Sequence, residues 1–64
     1  MSKSKFKVGD VVYISRIIGR MFVIEEETIV DVFECNGVFY YKTNITDCIN
    51  ESSLFKTRQQ ALNA

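Results

Sequence analysis

Three consecutive glutamates, Glu25, Glu26 and Glu27, are the densest group of side chains in the sequence that could do chemistry. Carboxylates serve as acid–base catalysts and as ligands for hard cations. Neighbouring side chains on a strand point to opposite faces of a sheet, however, so three in a row cannot converge on one ion. We therefore predict no metal site, and an acidic patch, with Glu34 as its fourth member, that docks on a basic partner protein. The alternative is an acidic surface that only keeps the domain soluble.

The size and composition of the chain weigh against catalysis. It has 64 residues and no histidine, which leaves little room to assemble a nucleophile and an acid–base pair in one pocket. We expect a protein that binds a partner, is not an enzyme and needs no cofactor. A chain this short buries little apolar surface, so self-association as a homodimer is a further expectation.

The charges are unevenly distributed although they sum to zero. Residues 1–20 carry five basic side chains and one acid, whereas residues 21–51 carry seven acids and one base. The alternative function is therefore a groove for single-stranded nucleic acid, formed by Lys5, Lys7, Arg16 and Arg20. The ring of Tyr13 or Tyr41 would stack on bases in that groove. The zero net charge counts against this alternative because nucleic-acid affinity depends on phosphate neutralisation.

Cys35 and Cys48 are the two cysteines of the chain. They lack the C-x-x-C spacing of a zinc site. The N-terminus lacks the apolar core of a secretory signal, and no run of about 18 apolar residues could span a membrane. We expect a cytoplasmic protein without membrane association, in which both cysteines are reduced and buried.

The first half of the chain predicts two strands. Residues 11–15 follow a turn at Val8-Gly9-Asp10 and are rich in β-branched side chains. A loop or hairpin over residues 16–20 then returns the chain at Met21. Residues 21–35 predict one long or bent strand, interrupted by the glutamates, with a bulge expected near Asp31 where the alternation breaks.

Asn36 and Gly37 predict a tight hairpin, because both tolerate the positive φ of a type I′ turn. Equal spacing from the turn pairs Cys35 with Val38 and, further along, Val32 with Tyr41. The expected core face is the wholly apolar one, which carries Phe33, Cys35, Val38 and Tyr40. Phe39 and Tyr41 are then expected on the opposite face, exposed to solvent or to a partner.

The last third predicts a short strand over residues 45–49 and a short helix. Thr57 and Gln60 form a capping box, in which each side chain bonds the backbone amide of the other residue. The helix is predicted over residues 58–62, with Ala61 and Leu62 packed near Phe55. Residues 1–5 are expected to form a flexible arm, and residues 6–64 a single domain in which Phe6 is buried.

This order of elements resembles the small Src-homology-3-like and Tudor-like barrels. The Val8-Gly9-Asp10 turn and the apolar strand after it look like the opening of such barrels. Residues 51–62 are similar to the ending of small uncharacterised proteins of bacteriophages and mobile elements of Gram-positive bacteria. The resemblance implies an all-β, Src-homology-3-like barrel of about five strands with a short C-terminal helix.

Barrels of this kind bind peptides, nucleic acids or folded proteins, so the resemblance implies a fold more strongly than a function. The expected function is a non-catalytic protein-interaction module, encoded by a phage, that modulates or inhibits a host defence or nucleic-acid-processing protein. Its predicted contacts are the acidic patch and the exposed rings of Tyr13, Phe39 and Tyr41. Both faces of the first strand are apolar, which indicates either a partner surface there or a covering by the terminal helix.

Overall fold

Four antiparallel strands in chain order form a curled half-barrel sheet, and one short helix follows them. The computed structural model describes residues 3–63, so Met1 and Ser2 of the predicted arm lie outside the described residues. The elements are β1 (Val11–Ile18), β2 (Met21–Cys35), β3 (Val38–Thr43), β4 (Ile49–Asn50), a 3₁₀ turn (Glu51–Ser53) and α1 (Arg58–Leu62). The predicted all-β class and C-terminal helix are confirmed.

The β1–β2 hairpin is longer than predicted. β1 continues to Ile18, and only Gly19 and Arg20 form the turn. Gly19 has a φ of +64°, the conformation that a two-residue turn with glycine at its first central position requires. Residues 16–18, predicted as a loop, instead pair with β2, because Ile17 and Ile18 favour an extended backbone.

β2 is one continuous strand that changes partner along its length. It pairs with β1 over residues 21–28 and with β3 from Ile29 onward. The pairing shifts between Ile29 and Asp31, which confirms the bulge predicted near Asp31. The three glutamates do not interrupt the strand; each pairs with a residue of β1.

The Asn36–Gly37 hairpin has the predicted register, with φ of +53° and +80° at its two turn residues. The predicted choice of core face is wrong. Tyr41 is fully buried and Phe39 packs against the core, while Phe33, Cys35 and Val38 are exposed and Tyr40 is half-buried.

The bulge explains why the opposite face is buried. Glu27 and Ile29 point inward, and a regular strand would continue with Asp31 and Phe33. One additional residue at the bulge reverses the phase, so that Val32 points inward instead. Val32 pairs with Tyr41, and residues paired across a sheet share a face.

The core comprises Phe6, Val12, Ile14, Ile29, Tyr41 and Leu54. Phe6 is buried, as predicted from the sequence. The chain returns to the first strand at Phe55, whose N–H and C=O bond Tyr13 at 3.0 and 2.9 Å. This contact is an isolated bridge, and residues 3–63 form four strands where about five were expected.

Three other C-terminal predictions need correction. The strand expected over residues 45–49 is limited to Ile49–Asn50, because the Thr43 N–H bonds the Thr46 carbonyl and turns the chain. The Gln60 N–H donates to the Thr57 hydroxyl at 3.1 Å as predicted, but the Gln60 side chain accepts from Lys56 N–H instead. Ala61 is buried, whereas Leu62 is exposed.

The two cysteines are exposed and not buried as expected. Cys35 pairs with Val38, and Cys48 directly precedes Ile49, which pairs with Tyr41. Along β3 their positions therefore differ by four residues, or about 13 Å. Because a disulfide needs Cα atoms within about 7 Å, these two residues cannot be bridged in this fold.

Candidate functional site

Glu27 is a buried carboxylate, with 1% of its surface exposed. Its register opposite Val12 directs it toward the core face. The hydroxyls of Thr43 and Thr46 both donate to its Oε1, at 2.5 and 3.0 Å. A buried carboxylate oxygen without a hydrogen-bond donor raises the free energy of the folded protein. The two hydroxyl bonds to Glu27 offset this cost.

Arg16 supplies the opposite charge. Its Nη2 donates to Glu27 Oε2 at 3.3 Å and to the Thr46 hydroxyl at 2.6 Å. Its Nε forms a close ion pair with Glu25, without the alignment of a hydrogen bond. β1, β2 and the loop between β3 and β4 are thereby held together at one side-chain cluster.

An open groove of about 690 Å³ lies beside this cluster. Ile17 and Ile18 from the β1–β2 hairpin form one side, and residues 45–47 of the β3–β4 loop form the other. Ile17, Ile18 and Ile45 are 77%, 60% and 58% exposed, so the groove presents apolar surface to solvent. Glu25 and Asp47 place carboxylates at its margin.

The predicted acidic patch does not form as expected. Glu27 is buried, and Glu25 is half-buried and paired with Arg16. Glu26 points to the opposite face, where it accepts from the Tyr13 hydroxyl at 3.4 Å. Glu34 is exposed near the far hairpin. Glu25 is therefore the one member of the four that lines the groove.

The predicted basic groove is also dispersed. Arg16 is half-buried and bound to carboxylates, which removes it from a nucleic-acid surface. Lys5 and Lys7 are exposed near the start of the chain, and Arg20 is exposed at the β1–β2 turn. The Lys5 amide bonds Glu51 at 2.9 Å, so the last residue of the predicted arm is attached to the domain.

The three aromatic residues expected at a partner surface are in different environments. Tyr41 is buried and Phe39 is half-buried against the core, so the expectation that both are exposed is wrong. Tyr13 is half-buried, and the guanidinium of Arg58 lies 5.8 Å from its ring centre. The terminal helix therefore covers part of the outer face of β1, although Val11 stays exposed.

The sequence did not indicate Thr43, Thr46 or Ile45 as members of a site. They come from the end of β3 and the loop after it, more than 15 residues away from Glu27 in the chain. The adjacent Ile17 and Ile18 did carry a signal, since two apolar residues beside a tight turn have no core to enter.

A second cluster joins the start of the chain to the 3₁₀ turn. The Tyr41 hydroxyl accepts from the Phe6 N–H at 3.2 Å and donates to Glu51 Oε2 at 2.5 Å. Two hydrogen bonds hold the pKa of Glu51 below its ordinary value of 4.5. The bond from the Tyr41 hydroxyl has the larger effect, and the bond from the Lys5 amide has the smaller one. Burial, followed by the bond to Glu51, raises the pKa of Tyr41 above 10.0, so its hydroxyl stays a donor at neutral pH.

Because of this cluster, we expect the unfolding free energy of the protein to decrease in acid. Unfolded Glu51 takes up a proton near its ordinary pKa of 4.5, whereas folded Glu51 stays ionised to lower pH. Its contribution is therefore complete above that pH and is lost as the pH falls through the lowered folded-state pKa. The difference in unfolding free energy between the wild type and Glu51→Gln should be largest at neutral pH and shrink in acid.

Urea denaturation over a series of pH values measures this difference. Glu34→Gln, which removes an exposed carboxylate elsewhere, controls for the loss of one negative charge. A wild-type advantage over Glu51→Gln that is equal at neutral and acid pH would contradict the assignment.

No helix among residues 3–63 is long and apolar enough to cross a membrane. Within the same residues, no three acidic or cysteine side chains come together as metal ligands would. Comparisons with protein-family models, with curated proteins and with solved structures found no match.

Proposed function

We propose that this protein is a non-catalytic protein-interaction domain that holds a segment of its partner in the groove between the β1–β2 hairpin and the β3–β4 loop. The observation that carries the proposal is the exposure of Ile17, Ile18 and Ile45 along that groove. Large apolar side chains grouped on the surface of a small domain are characteristic of binding sites.

The charges around the groove define the chemistry of the partner segment. Glu25 and Asp47 line the groove, with Glu27 behind them, and Arg16 is the one base among the lining residues. The local charge is therefore negative, and Arg20 does not line the groove. A segment with apolar side chains followed by lysine or arginine is complementary to it.

The proposed fold assignment is a Src-homology-3-like barrel. The bridge from Tyr13 to Phe55 supports it, because it brings the end of the chain to the free edge of β1 as barrel closure requires. The phage origin and the host target stay predictions of the sequence resemblance. A host protein with a basic surface is the target class that the groove favours.

The test is recovery of a partner from bacterial lysate with the tagged protein, with and without nuclease. We expect one stoichiometric protein whose recovery resists nuclease and is lost with Ile18→Ser, Ile45→Ser and Asp47→Lys. Val38→Ser, an exposed valine at the far hairpin, should retain it. Recovery that is unchanged in the groove variants would refute the proposed site.

The nucleic-acid alternative predicts a different result in the same experiment. Recovery would then depend on nucleic acid and on the exposed Lys5, Lys7 and Arg20, and would decline steeply with salt. Loss of binding after nuclease treatment, with sensitivity to charge reversal at Lys7, would favour that alternative over the groove.

A further inference from the structure

Among residues 3–63, no strand pairs with the edge of β2 that projects beyond β3. β2 begins at Met21, whereas its pairing with β3 begins at Ile29. The molecule is elongated, measuring 39 by 21 by 21 Å. An exposed edge of this kind is a template for a further strand.

The hydrogen bonds of Tyr13 determine which backbone groups face that edge. Tyr13 exchanges both of its backbone bonds with Phe55, so its N–H and C=O point away from β2. In an antiparallel pair of strands, the backbone N–H and C=O of the β2 residue opposite Tyr13 then also point away from β1. That residue is Glu26, and by alternation Ile24 and Phe22 present their N–H and C=O in the same direction.

The bonds of Thr28 give the same result independently. Its C=O accepts from the Asn44 N–H at 3.0 Å, and its N–H donates to the Asn44 side chain at 2.9 Å. The backbone N–H and C=O of Thr28 thus point to the β3 side of β2. By alternation, those of residues 26, 24 and 22 point to the same side. Asn44 ends the open edge, which extends over residues 22–26.

We propose that a second copy of this chain pairs with this edge, β2 against β2 and antiparallel, around a twofold axis at Ile24. Ile24 then faces Ile24 of the second copy, and Phe22 faces Glu26 of the second copy, with the reciprocal pair on the other side. These three pairs are hydrogen-bonded pairs, each exchanging two backbone bonds. The two hairpins become one continuous four-stranded sheet.

The side chains of this edge are self-complementary, as a twofold interface requires. Ile24 is half-buried and Phe22 is 53% exposed on the same face, and pairing places the two isoleucines in contact between the two phenylalanines. Both apolar side chains lose water in the dimer.

The pairing ends at Phe22 on each side, because the position opposite Thr28 of the second copy is already occupied by Asn44 of that copy. Glu25, which comes near its own symmetry mate, forms an ion pair with Arg16.

Sedimentation equilibrium from micromolar to millimolar concentration tests the dimer. We expect twice the monomer mass at high concentration. Phe22→Glu places a second carboxylate opposite Glu26 of the second copy at both symmetric positions, whereas Phe22→Lys places an opposite charge there. Both variants lose the same ring, and the glutamate variant should dimerise about tenfold more weakly than the lysine variant.

Ile24→Pro is the stronger test, because it removes the two central N–H donors without breaking the β1 ladder. It should abolish the dimer while circular dichroism confirms the fold. If that variant does not fold, the two Phe22 variants decide alone. A monomer at every concentration, or equal dimerisation of Phe22→Glu and Phe22→Lys, would overturn the proposal.

Amide hydrogen exchange gives a second, independent result. The N–H groups of Phe22, Ile24 and Glu26 should exchange more slowly as protein concentration rises, while that of Ser53 should not change. Exchange at residues 22, 24 and 26 that is independent of concentration would also overturn the dimer. The groove variants Ile18→Ser and Ile45→Ser leave this edge intact, so failure of the proposed function is distinguishable from failure of this inference.

Discussion

Replacement of Glu27 by alanine should destabilise the protein by about 3 kcal/mol, the cost of removing one partner from a buried charged pair. The hydroxyls of Thr43 and Thr46 would lose their acceptor, and Arg16 would keep one carboxylate of two. A domain of this size has a total stability of about 3 to 10 kcal/mol, so the loss is a large part of it. Urea denaturation followed by circular dichroism measures the change.

Glu34→Ala is the matched control, because Glu34 lies in the same strand and is exposed, away from the buried cluster and from the open edge. It makes the same change in strand propensity without touching the cluster, and should cost less than about 0.5 kcal/mol. Glu27→Gln keeps the acceptor for the hydroxyls and loses only the charge, so we expect an intermediate effect. Equal stability of the alanine variants at positions 27 and 34 would show that the buried cluster contributes nothing.

Tyr41→Phe should cost about 2 kcal/mol, although it removes a single oxygen atom. The buried N–H of Phe6 would lose its acceptor, and Glu51 would lose the hydroxyl that donates to it. The ring itself would keep its edge-to-face packing on Phe6, at 5.7 Å between centres. The loss therefore measures the hydrogen bonds that attach the N-terminal segment to the sheet.

Tyr40→Phe is the control for this variant. Tyr40 is adjacent in β3 but lies on the opposite face, where it stacks on Phe33. The same chemical change there should have little effect on the denaturation midpoint. In Tyr41→Phe, amide exchange should also accelerate at Phe6; unchanged exchange at this amide would contradict the assigned contact.

Local signals in the sequence were sufficient for the Asn36–Gly37 turn, the bulge and the Thr57 cap. Asn36 and Gly37 specify their hairpin because few residues accept positive φ, and Thr57 specifies the start of α1 through one hydroxyl. Each of these features is decided by residues within about four positions of one another. Prediction from sequence succeeds at that range.

The features that depend on distant residues were not predicted. Burial of Glu27 requires Arg16 and two threonines from separate segments, and nothing near Glu27 in the chain indicates them. The inward face of β3 was assigned wrongly because both faces carry aromatic and β-branched residues. Alternation shows which side chains lie together, but it does not show which group is buried.

The phase reversal at the bulge has a consequence for how this chain tolerates change. Beyond Val30 the two surfaces of the sheet carry similar rings, Phe33 and Tyr40 outside and Phe39 and Tyr41 inside. Which pair of rings is buried therefore depends more on the number of residues between Ile29 and Val32 than on the types of the rings. Substitution within that interval preserves the arrangement, whereas loss of one residue from it would turn the C-terminal half of the sheet inside out.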